Sequence, residues 1–310
     1  MKYLFGPVNS RRLGISQGID LLPQKICNFN CIYCEVGPNV ITTCERKEYT
    51  PTKEIIAELD TLLADQAAVD RLDVFTITAS GEPTLHTGIG KIIRHIKSKT
   101  NKPVTVLTNG SLFHLPEVRD ALMAADIVIP SLDSARPSSY RKINRPARCA
   151  ELENIISGLR EFCKDFSGQV WLEILLAKGV NDTPEDIDAL KEAVTLIKPD
   201  RIQLNTVARP PLESFAKPLG RQELEAIARQ FDRPVEILVD FTTKAREKFH
   251  SVQEAEILEM LKRRPCTATD INEALNLDPA QTKNQLAVME KAGLLITTRH
   301  NDKEYYQIRK

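Results

Sequence analysis

Cys27, Cys31 and Cys34 stand at C-x3-C-x2-C spacing in the stretch Cys27-Asn28-Phe29-Asn30-Cys31-Ile32-Tyr33-Cys34. Thiolates are soft ligands, and three of them in one short loop point to a metal site. A structural zinc takes four protein ligands, and neither a second C-x2-C pair nor a nearby histidine pair completes such a set. A disulfide framework belongs to small secreted chains, a class that 310 residues without a signal-like apolar start do not fit. Three thiolates suit three irons of a four-iron, four-sulfur cluster, which takes one protein ligand per iron when fully ligated. The fourth iron is then open to an exogenous ligand, an arrangement for chemistry rather than for electron storage alone.

The elements that must position this loop alternate between strand and helix. Gly18–Leu22 reads as a first strand that ends at Pro23, so the cysteine loop follows a strand. Pro51 opens a helix with Ile55, Ile56, Leu59, Leu62 and Leu63 at helical spacing. Asp73–Thr78 reads as a buried strand running into Ser80-Gly81-Glu82-Pro83, and Ile89, Ile92, Ile93 and Ile96 mark the next helix. Val104–Thr108 is a strand ending at Asn109, and Glu117–Ala124 a short helix. Ile127–Asp133 is a strand carrying Ser131 and Asp133, followed by a helix over Leu152–Phe166. Val170–Leu176 is a strand containing Glu173. Thr183 caps a helix that has Pro184 at its first position and runs to Ile197. Arg201–Thr206 is a strand containing Asn205, followed by a helix over Arg221–Gln230.

Strand–helix alternation of this kind means a parallel sheet with crossover helices. The spacing alone fits an open sheet and a barrel equally well. In either, function lies at the carboxyl ends of the strands, where the polar groups just named fall.

Beyond this α/β region, residues 233–250 read as a linker that includes Lys244-Ala245-Arg246-Glu247-Lys248, which divides the chain into residues 1–240 and 241–310. The tail predicts helices over Glu254–Leu261, Thr269–Leu275 and Asp278–Ala292, then a hairpin around His300-Asn301-Asp302. Three helices and a hairpin resemble a winged helix. Nine Lys/Arg against nine Asp/Glu over residues 251–310 oppose strong duplex binding, which rests on phosphate neutralisation. Gln281, Thr282, Lys283 and Asn284 nevertheless open the third helix, where a reader of nucleic acid places its contacts. A docking or dimerisation domain is the other reading.

Apolar residues make up 42% and charged residues 27% of the chain, with zero net charge, so no global pull draws it to nucleic acid or anionic membrane. No apolar run is long enough to span a bilayer. The remaining cysteines, Cys44, Cys149, Cys163 and Cys266, are scattered and read as ordinary buried thiols; the expected compartment is a reducing cytoplasm. Arg136, Arg141, Lys142, Arg145 and Arg148 crowd the segment after the fourth strand, with Arg11, Arg12 and Arg209 expected on the same face. Such a rim suits an anionic substrate such as a phosphate, or is a solvated surface.

The cysteine stretch, with aromatic Tyr33 beside its last cysteine, and Gly81-Glu82-Pro83 after the second strand together resemble the radical S-adenosylmethionine (SAM) superfamily. That resemblance implies an α/β fold, a partial (β/α)6 barrel of parallel strands, here with a small C-terminal winged-helix domain. It implies one [4Fe-4S] cluster on Cys27, Cys31 and Cys34, with S-adenosyl-L-methionine chelated at the open iron through its amino and carboxylate groups. It also implies reductive cleavage of the sulfonium to methionine and a hydrogen-abstracting 5′-deoxyadenosyl radical. By resemblance, Tyr33 lies near the adenine and Gly81, Glu82 and Pro83 near the methionine ammonium. Asn109, Ser131, Asp133, Glu173 and Asn205 then lie near ribose, adenine or methionine carboxylate; each also reads as a cap or a loop hydrogen bond. Ser80 stands where the commoner form of the motif has a second glycine.

A narrower resemblance is to the small wyosine-base (tRNA imidazoline-guanosine) synthetase-like proteins. It is carried by Phe5–Gly14, Cys27–Gly37, Ser80–Leu85, Lys142–Pro146 and Lys178–Asp182. Those synthetases have further cysteines upstream of the triad for a second cluster, and here none precedes Cys27. The implied activity is radical modification of a nucleic-acid base, in tRNA, with an electron donor such as flavodoxin or ferredoxin. Two other readings stay open: a radical enzyme acting on a protein or peptide, and a regulator whose cluster only senses redox state. A sensor has no use for the methionine-site motif.

Overall fold

A computed structural model describes residues 1–10, 12–238, 254–262, 264–275 and 277–309. In chain order the strands are β1 (Leu4–Ser10), β2 (Gly14–Asp20), β3 (Ile26–Cys27), β4 (Ile41–Thr42), β5 (Val74–Thr78), β6 (Val104–Thr108), β7 (Ile127–Pro130), β8 (Gln169–Leu176), β9 (Arg201–Thr206), β10 (Val235–Ile237), β11 (Leu295–His300) and β12 (Lys303–Ile308). The helices are α1 (Thr52–Leu63), α2 (Gln66–Asp70), α3 (Ile89–Lys99), α4 (Pro116–Leu122), α5 (Pro137–Asn144), α6 (Leu152–Asp165), α7 (Pro184–Ile197), α8 (Arg221–Ala228), α9 (Glu254–Leu261), α10 (Ala268–Leu275) and α11 (Pro279–Lys291), with a 3-10 turn at Pro83–Leu85.

One sheet runs β1-β2-β5-β6-β7-β8-β9-β10. All its neighbours are parallel except β1, which pairs antiparallel with β2. Parallel strands need crossover helices, and these cover the sheet's outer face. The apolar stripe of α3, Ile89, Ile92, Ile93 and Ile96, is fully buried there. At the start of α7 the Thr183 hydroxyl accepts from the Asp186 amide at 3.2 Å, as a capping threonine should. The result is the partial parallel barrel expected from the sequence.

Several expectations need correcting. The hairpin strand β1 precedes the strand read as first, and that strand, β2, runs over Gly14–Asp20 rather than Gly18–Leu22. The strand expected to continue through Asp133 stops at Pro130, since proline brings no N–H to a ladder. Ser131 and Asp133 therefore sit just past the strand end. The basic segment after it folds as α5. A further parallel strand, β10, lies within the stretch read as linker. Residues 239–250 of that linker, Lys244–Lys248 among them, and Arg11 lie outside the described residues. Cys44 and Cys149 are not separate thiols: their sulfurs are bonded, with Cα atoms 6.4 Å apart, a separation ordinary for a disulfide.

The C-terminal helices and the β11–β12 hairpin close around their own core, which includes Ile257, Leu261, Ile271, Leu286, Met289 and Leu295. This winged-helix unit packs on the barrel: α9 and α10 lie against β1. The tip of the wing docks as well. The Asn301 side-chain amide donates to the Val207 carbonyl at 3.2 Å, and the Tyr305 hydroxyl to the Ala208 carbonyl at 2.7 Å. Among the described residues no helix is long and apolar enough to cross a membrane.

Candidate metal and cofactor site

The cysteine loop lies across the carboxyl ends of the sheet strands. Its entry is fixed by Gly81. The Cβ of any larger residue there would sit 1.8 Å from the Ile26 carbonyl oxygen, and that same oxygen accepts from the Glu82 amide at 3.0 Å. Only glycine lets the turn after β5 approach β3 this closely, and β3 carries Cys27. On its other side β3 pairs with β4, and the Thr43 amide donates to the Cys27 carbonyl at 3.2 Å. The loop is then stitched to the end of α5. The Asn30 amide donates to the Asn144 carbonyl at 3.0 Å, the Ile32 amide to the Ile143 carbonyl at 2.9 Å, and the Ala147 amide to the Asn28 carbonyl at 2.8 Å.

Each sulfur meets a donor. Cys27 Sγ faces the Phe29 amide at 3.4 Å and Asn109 Nδ2 at 3.7 Å; Cys31 Sγ faces Asn144 Nδ2 at 3.4 Å; Cys34 Sγ faces Lys25 Nζ at 3.0 Å. Lys25 is 6% exposed and also bonds the Gly37 carbonyl. Burial pushes the Cys27 thiol up to about 12, with the Glu82 charge adding to it. Burial pushes Cys31 well above the usual thiol range, with Asp133 adding to it. Ionising these thiols together is costly unless positive charge binds between them, because burial disfavours each anion and the anions repel one another. The donor set is thus one that a cationic cluster would stabilise, and the residues fit the group that the cysteine spacing suggests. No three His, Cys, Asp or Glu side chains among the described residues close around a single metal ion. A cubane takes one thiolate per iron and requires no such closure.

Glu82 is 1% exposed. Its carboxylate accepts from the Thr84 amide at 2.9 Å and hydroxyl at 2.5 Å, the Thr108 hydroxyl at 2.6 Å and the Asn109 amide at 2.6 Å. Burial raises its pKa, and these four donors oppose the rise. In this structure Glu82 braces the ends of β5 and β6, with Pro83 starting the 3-10 turn. Asn109 continues the brace: its Nδ2 donates to Asn28 Oδ1 at 2.8 Å, and its Oδ1 accepts from the Ser111 hydroxyl at 2.5 Å. The hydroxyl of Ser80, absent from the two-glycine form of the motif, donates to Asp20 at 2.6 Å.

Asp133, 2% exposed, collects the Tyr33 hydroxyl and Asn144 Nδ2, each at 2.6 Å, and the Leu175 amide at 3.0 Å. Burial raises its pKa to about 6 against the pull of these donors. Burial and the Asp133 charge hold Tyr33 well above the usual phenol range. Ser131 bridges to Glu173 through the backbone. Glu173 and Asn205 meet in the barrel interior, where Asn205 Nδ2 lies 3.5 Å from Glu173 and Arg12 pairs with Glu173. Arg12 also donates to Gln203 Oε1 at 2.8 Å.

The expected site residues thus fall into two groups: Tyr33, Gly81, Glu82, Pro83, Asn109 and Asp133 around the cysteine loop, and Glu173 and Asn205 inside the barrel, with Ser131 between. Sequence reasoning missed Lys25, Asn28 and Asn144. Asn144 stands inside Lys142-Ile143-Asn144-Arg145-Pro146, already singled out for resemblance, and was the findable one. The basic rim disperses. Arg136 pairs with Asp186, Arg145 with Glu213, and Arg209 with Glu35 and Asp270. Arg141 and Arg148 are exposed and have no partner among the described residues.

A cavity of about 610 Å³ opens beside the loop. It reaches Glu35 and Val36, next to Cys34, and Ser80, next to Gly81. Ser16, Thr76 and Asn205 line it on the concave face of the barrel, and the winged-helix unit walls it with Met260, Arg264 and Asp270. Arg209, its side chain 12% exposed, joins the two sides: it bonds Glu35 at 3.0 Å and lies 3.6 Å from Asp270, while Arg264 lies 3.5 Å from Glu35.

Comparison with known proteins agrees with this geometry. The profile of the radical SAM superfamily matches residues 21–205, and that of the bacterial regulatory protein, arsR family, matches residues 253–297. The chain is 37% identical over 295 residues to a protein named GTPase Obg from Brachyspira hyodysenteriae, covering 94% of this chain but only 43% of that relative. It is 36% identical over 289 residues to a UPF0026 protein of Helicobacter pylori strain J99, covering 91% of this chain and 90% of the other. Among solved structures, TYW1 with a lysine-pyruvate adduct bound shares 21% identity at a TM-score of 0.50, over 70% of this chain and 72% of that one; at that identity the likeness concerns the fold. A superfamily profile over more than half its length and a relative matched nearly end to end place the chain in the radical SAM superfamily, among the UPF0026 proteins.

Proposed function

We propose that this chain cleaves S-adenosylmethionine reductively at a cluster on Cys27, Cys31 and Cys34 and acts on a nucleobase, in tRNA. The cluster, when bound, supplies one electron to the sulfonium, releasing methionine and a 5′-deoxyadenosyl radical that abstracts hydrogen from the substrate. The protein's own part is to bind and orient. Lys25, Asn109 and Asn144 offset the charge on the three sulfurs. Gly81 and Glu82 fix the turn whose backbone would meet the methionine ammonium, with Pro83 setting its exit. Tyr33, held by Asp133, would flank the adenine, and Ser131, Glu173 and Asn205 would meet ribose or carboxylate oxygens. A small single-electron donor protein of the flavodoxin or ferredoxin kind would supply the electron.

The observation that carries the substrate half is the chamber of about 610 Å³ between the barrel and an arsR-like unit. That volume lies in the range of small-ligand pockets, so a single nucleoside enters and a folded helix does not. A base inside a duplex would have to be turned out of its stack to reach it. Gln281, Lys283 and Asn284 are exposed on α11, where they support contact with the rest of an RNA. A second reading, a protein or peptide substrate, is favoured by the docked wing: the hairpin tip is engaged by Val207 and Ala208 and is not free to enter a groove.

Reconstituted protein with a reductant should form 5′-deoxyadenosine from S-adenosylmethionine, and alanine at Cys27, Cys31 or Cys34 should abolish this. Absence of cleavage from protein carrying a full cluster refutes the enzymatic reading. Mass spectrometry of tRNA nucleosides from a deletion strain should show one modified nucleoside missing. An unchanged profile transfers the substrate to the protein class.

A further inference from the structure

The Cys44–Cys149 bond lies outside the machinery described so far, and its position relates it to that machinery. On one side, Cys44 follows β4, the strand paired with β3, and Thr43 holds the Cys27 carbonyl at 3.2 Å. On the other, Cys149 follows Ala147, whose amide holds the Asn28 carbonyl at 2.8 Å, and Pro146, which bridges to Phe29. The two straps grip adjacent residues of the cluster loop, Cys27 and Asn28, from opposite sides. The disulfide ties the straps to each other, so hydrogen bonds and one covalent bond close a ring around the start of that loop. Asn144, on the second strap, also faces Cys31 Sγ at 3.4 Å. Cys149 is exposed and Cys44 half-buried, so a small thiol or disulfide can reach the pair from solvent.

We propose that Cys44 and Cys149 form a reversible redox clamp on the cluster cradle. The clamp rests on the reading that Cys27, Cys31 and Cys34 hold the cluster. The co-reactant is a low-molecular-weight disulfide, RSSR. The thiolate of exposed Cys149 attacks one sulfur of RSSR, breaking the R–S–S–R bond and releasing one RSH. The Cys44 thiolate then attacks the Cys149 sulfur of the mixed disulfide, forming the Cys44–Cys149 bond and releasing the second RSH. The two cysteines lose two electrons, RSSR gains them, and their two protons leave on the two RSH. A dithiol reverses the exchange. With the bond made, the straps cannot part and the loop cannot peel away from its hydrogen-bond partners Thr43 and Ala147. With it broken, only backbone hydrogen bonds hold the straps, and local opening releases or admits iron.

The test uses full-length protein reconstituted with iron and sulfide, then equilibrated with oxidised glutathione or with dithiothreitol. Differential alkylation and peptide mass mapping read the Cys44–Cys149 state, and the loss of cluster absorbance in excess chelator reads opening of the cradle. The oxidised protein should lose its cluster about tenfold more slowly than the reduced one, since a cross-link raises the free energy of the opening it spans. Cys44→Ser and Cys149→Ser should each lose it at the reduced rate in both treatments, and Cys163→Ser should keep the difference. Because Cys149 is exposed, its serine variant serves should Cys44→Ser fail to fold. Two free thiols after oxidised glutathione, or equal release rates with the bond formed, overturn the clamp. Protein that forms the bond yet takes up no iron refutes the cluster reading itself, and the clamp with it.

Discussion

Replacing Gly81 with alanine puts the contact between the second-strand turn and the cysteine loop to a direct test. The new methyl group falls 1.8 Å from the Ile26 carbonyl oxygen, 2.5 Å from its carbon and 2.9 Å from the Ile26 nitrogen. These are backbone atoms of a short paired strand, so no side chain can swing aside. To reach even 3.0 Å, the turn and β3 must separate by about 1.2 Å. The Glu82 amide bonds that same carbonyl at 3.0 Å, and a separation of this size breaks the bond. Overpacking costs about 1–3 kcal/mol and the lost buried hydrogen bond about 1 kcal/mol, so destabilisation of about 3 kcal/mol is expected. For a chain of this size that lowers Tm by about 6 °C. Cys27 rides on β3, and a misplacement of about 1 Å near a reacting centre costs about a hundredfold in rate. The assay is 5′-deoxyadenosine formation per bound cluster, beside thermal unfolding. Ser80→Ala is the control: it removes only the hydroxyl bond to Asp20, costs about 1 kcal/mol and should leave cleavage near wild type. Unchanged cleavage and unchanged melting in Gly81→Ala would refute the claim that this contact positions the cluster ligand.

Three further outcomes follow from the same geometry. Lys25→Met removes the buried ammonium beside Cys34; cluster affinity should fall about 10–100-fold, the usual cost of losing a group that supports a metal ligand, as read by iron retention on dilution. Arg209→Met breaks the link from Glu35 to Asp270 and should cost about 1 kcal/mol, because both carboxylates are partly solvated and Glu35 keeps Arg264; hydrogen exchange in β1 and in α10 should rise together. Asp133 has its folded pKa raised to about 6 from 3.8. Between those values the folded chain holds a proton that the unfolded chain has released, so stability falls as pH rises through that window, by an order-of-magnitude 3 kcal/mol. Asp133→Asn should flatten that part of the Tm–pH curve, and an unchanged slope would remove Asp133 as its source.

The parts of the fold written in local signals were legible in the sequence. Strands β5, β6, β7 and β8 are rich in apolar and β-branched residues, α1, α3 and α7 have apolar stripes, and α1 and α7 have proline and threonine at their starts. The cysteine triad stood out as a candidate because its signal, the spacing, is local. Gly81 was visible as a motif residue, but the reason for it, the Ile26 carbonyl, is a contact far away in sequence. Lys25 carries no local signal; only the fold shows that it is turned inward against Cys34. Arg12 was counted with the basic rim, yet it points into the barrel because Glu173 and Gln203 supply its partners there. The strand β10 has three residues and no period to read. Cys44 and Cys149 lie 105 residues apart, and nothing local marks either as the other's partner.

The first strand, β1, ends the sheet order, so one of its edges has no strand beside it. An edge strand left bare is a template for pairing with another chain and so for aggregation. Here α9 and α10 lie against it. The C-terminal unit therefore also covers a strand at the end of the sheet. A barrel produced without it should keep every residue of the cysteine loop and yet expose the strand that α9 and α10 cover, with only Pro7 and the irregular pairing at Phe5–Val8 to blunt it. Shortening the chain to simplify the enzyme thus removes the element that keeps its sheet from growing.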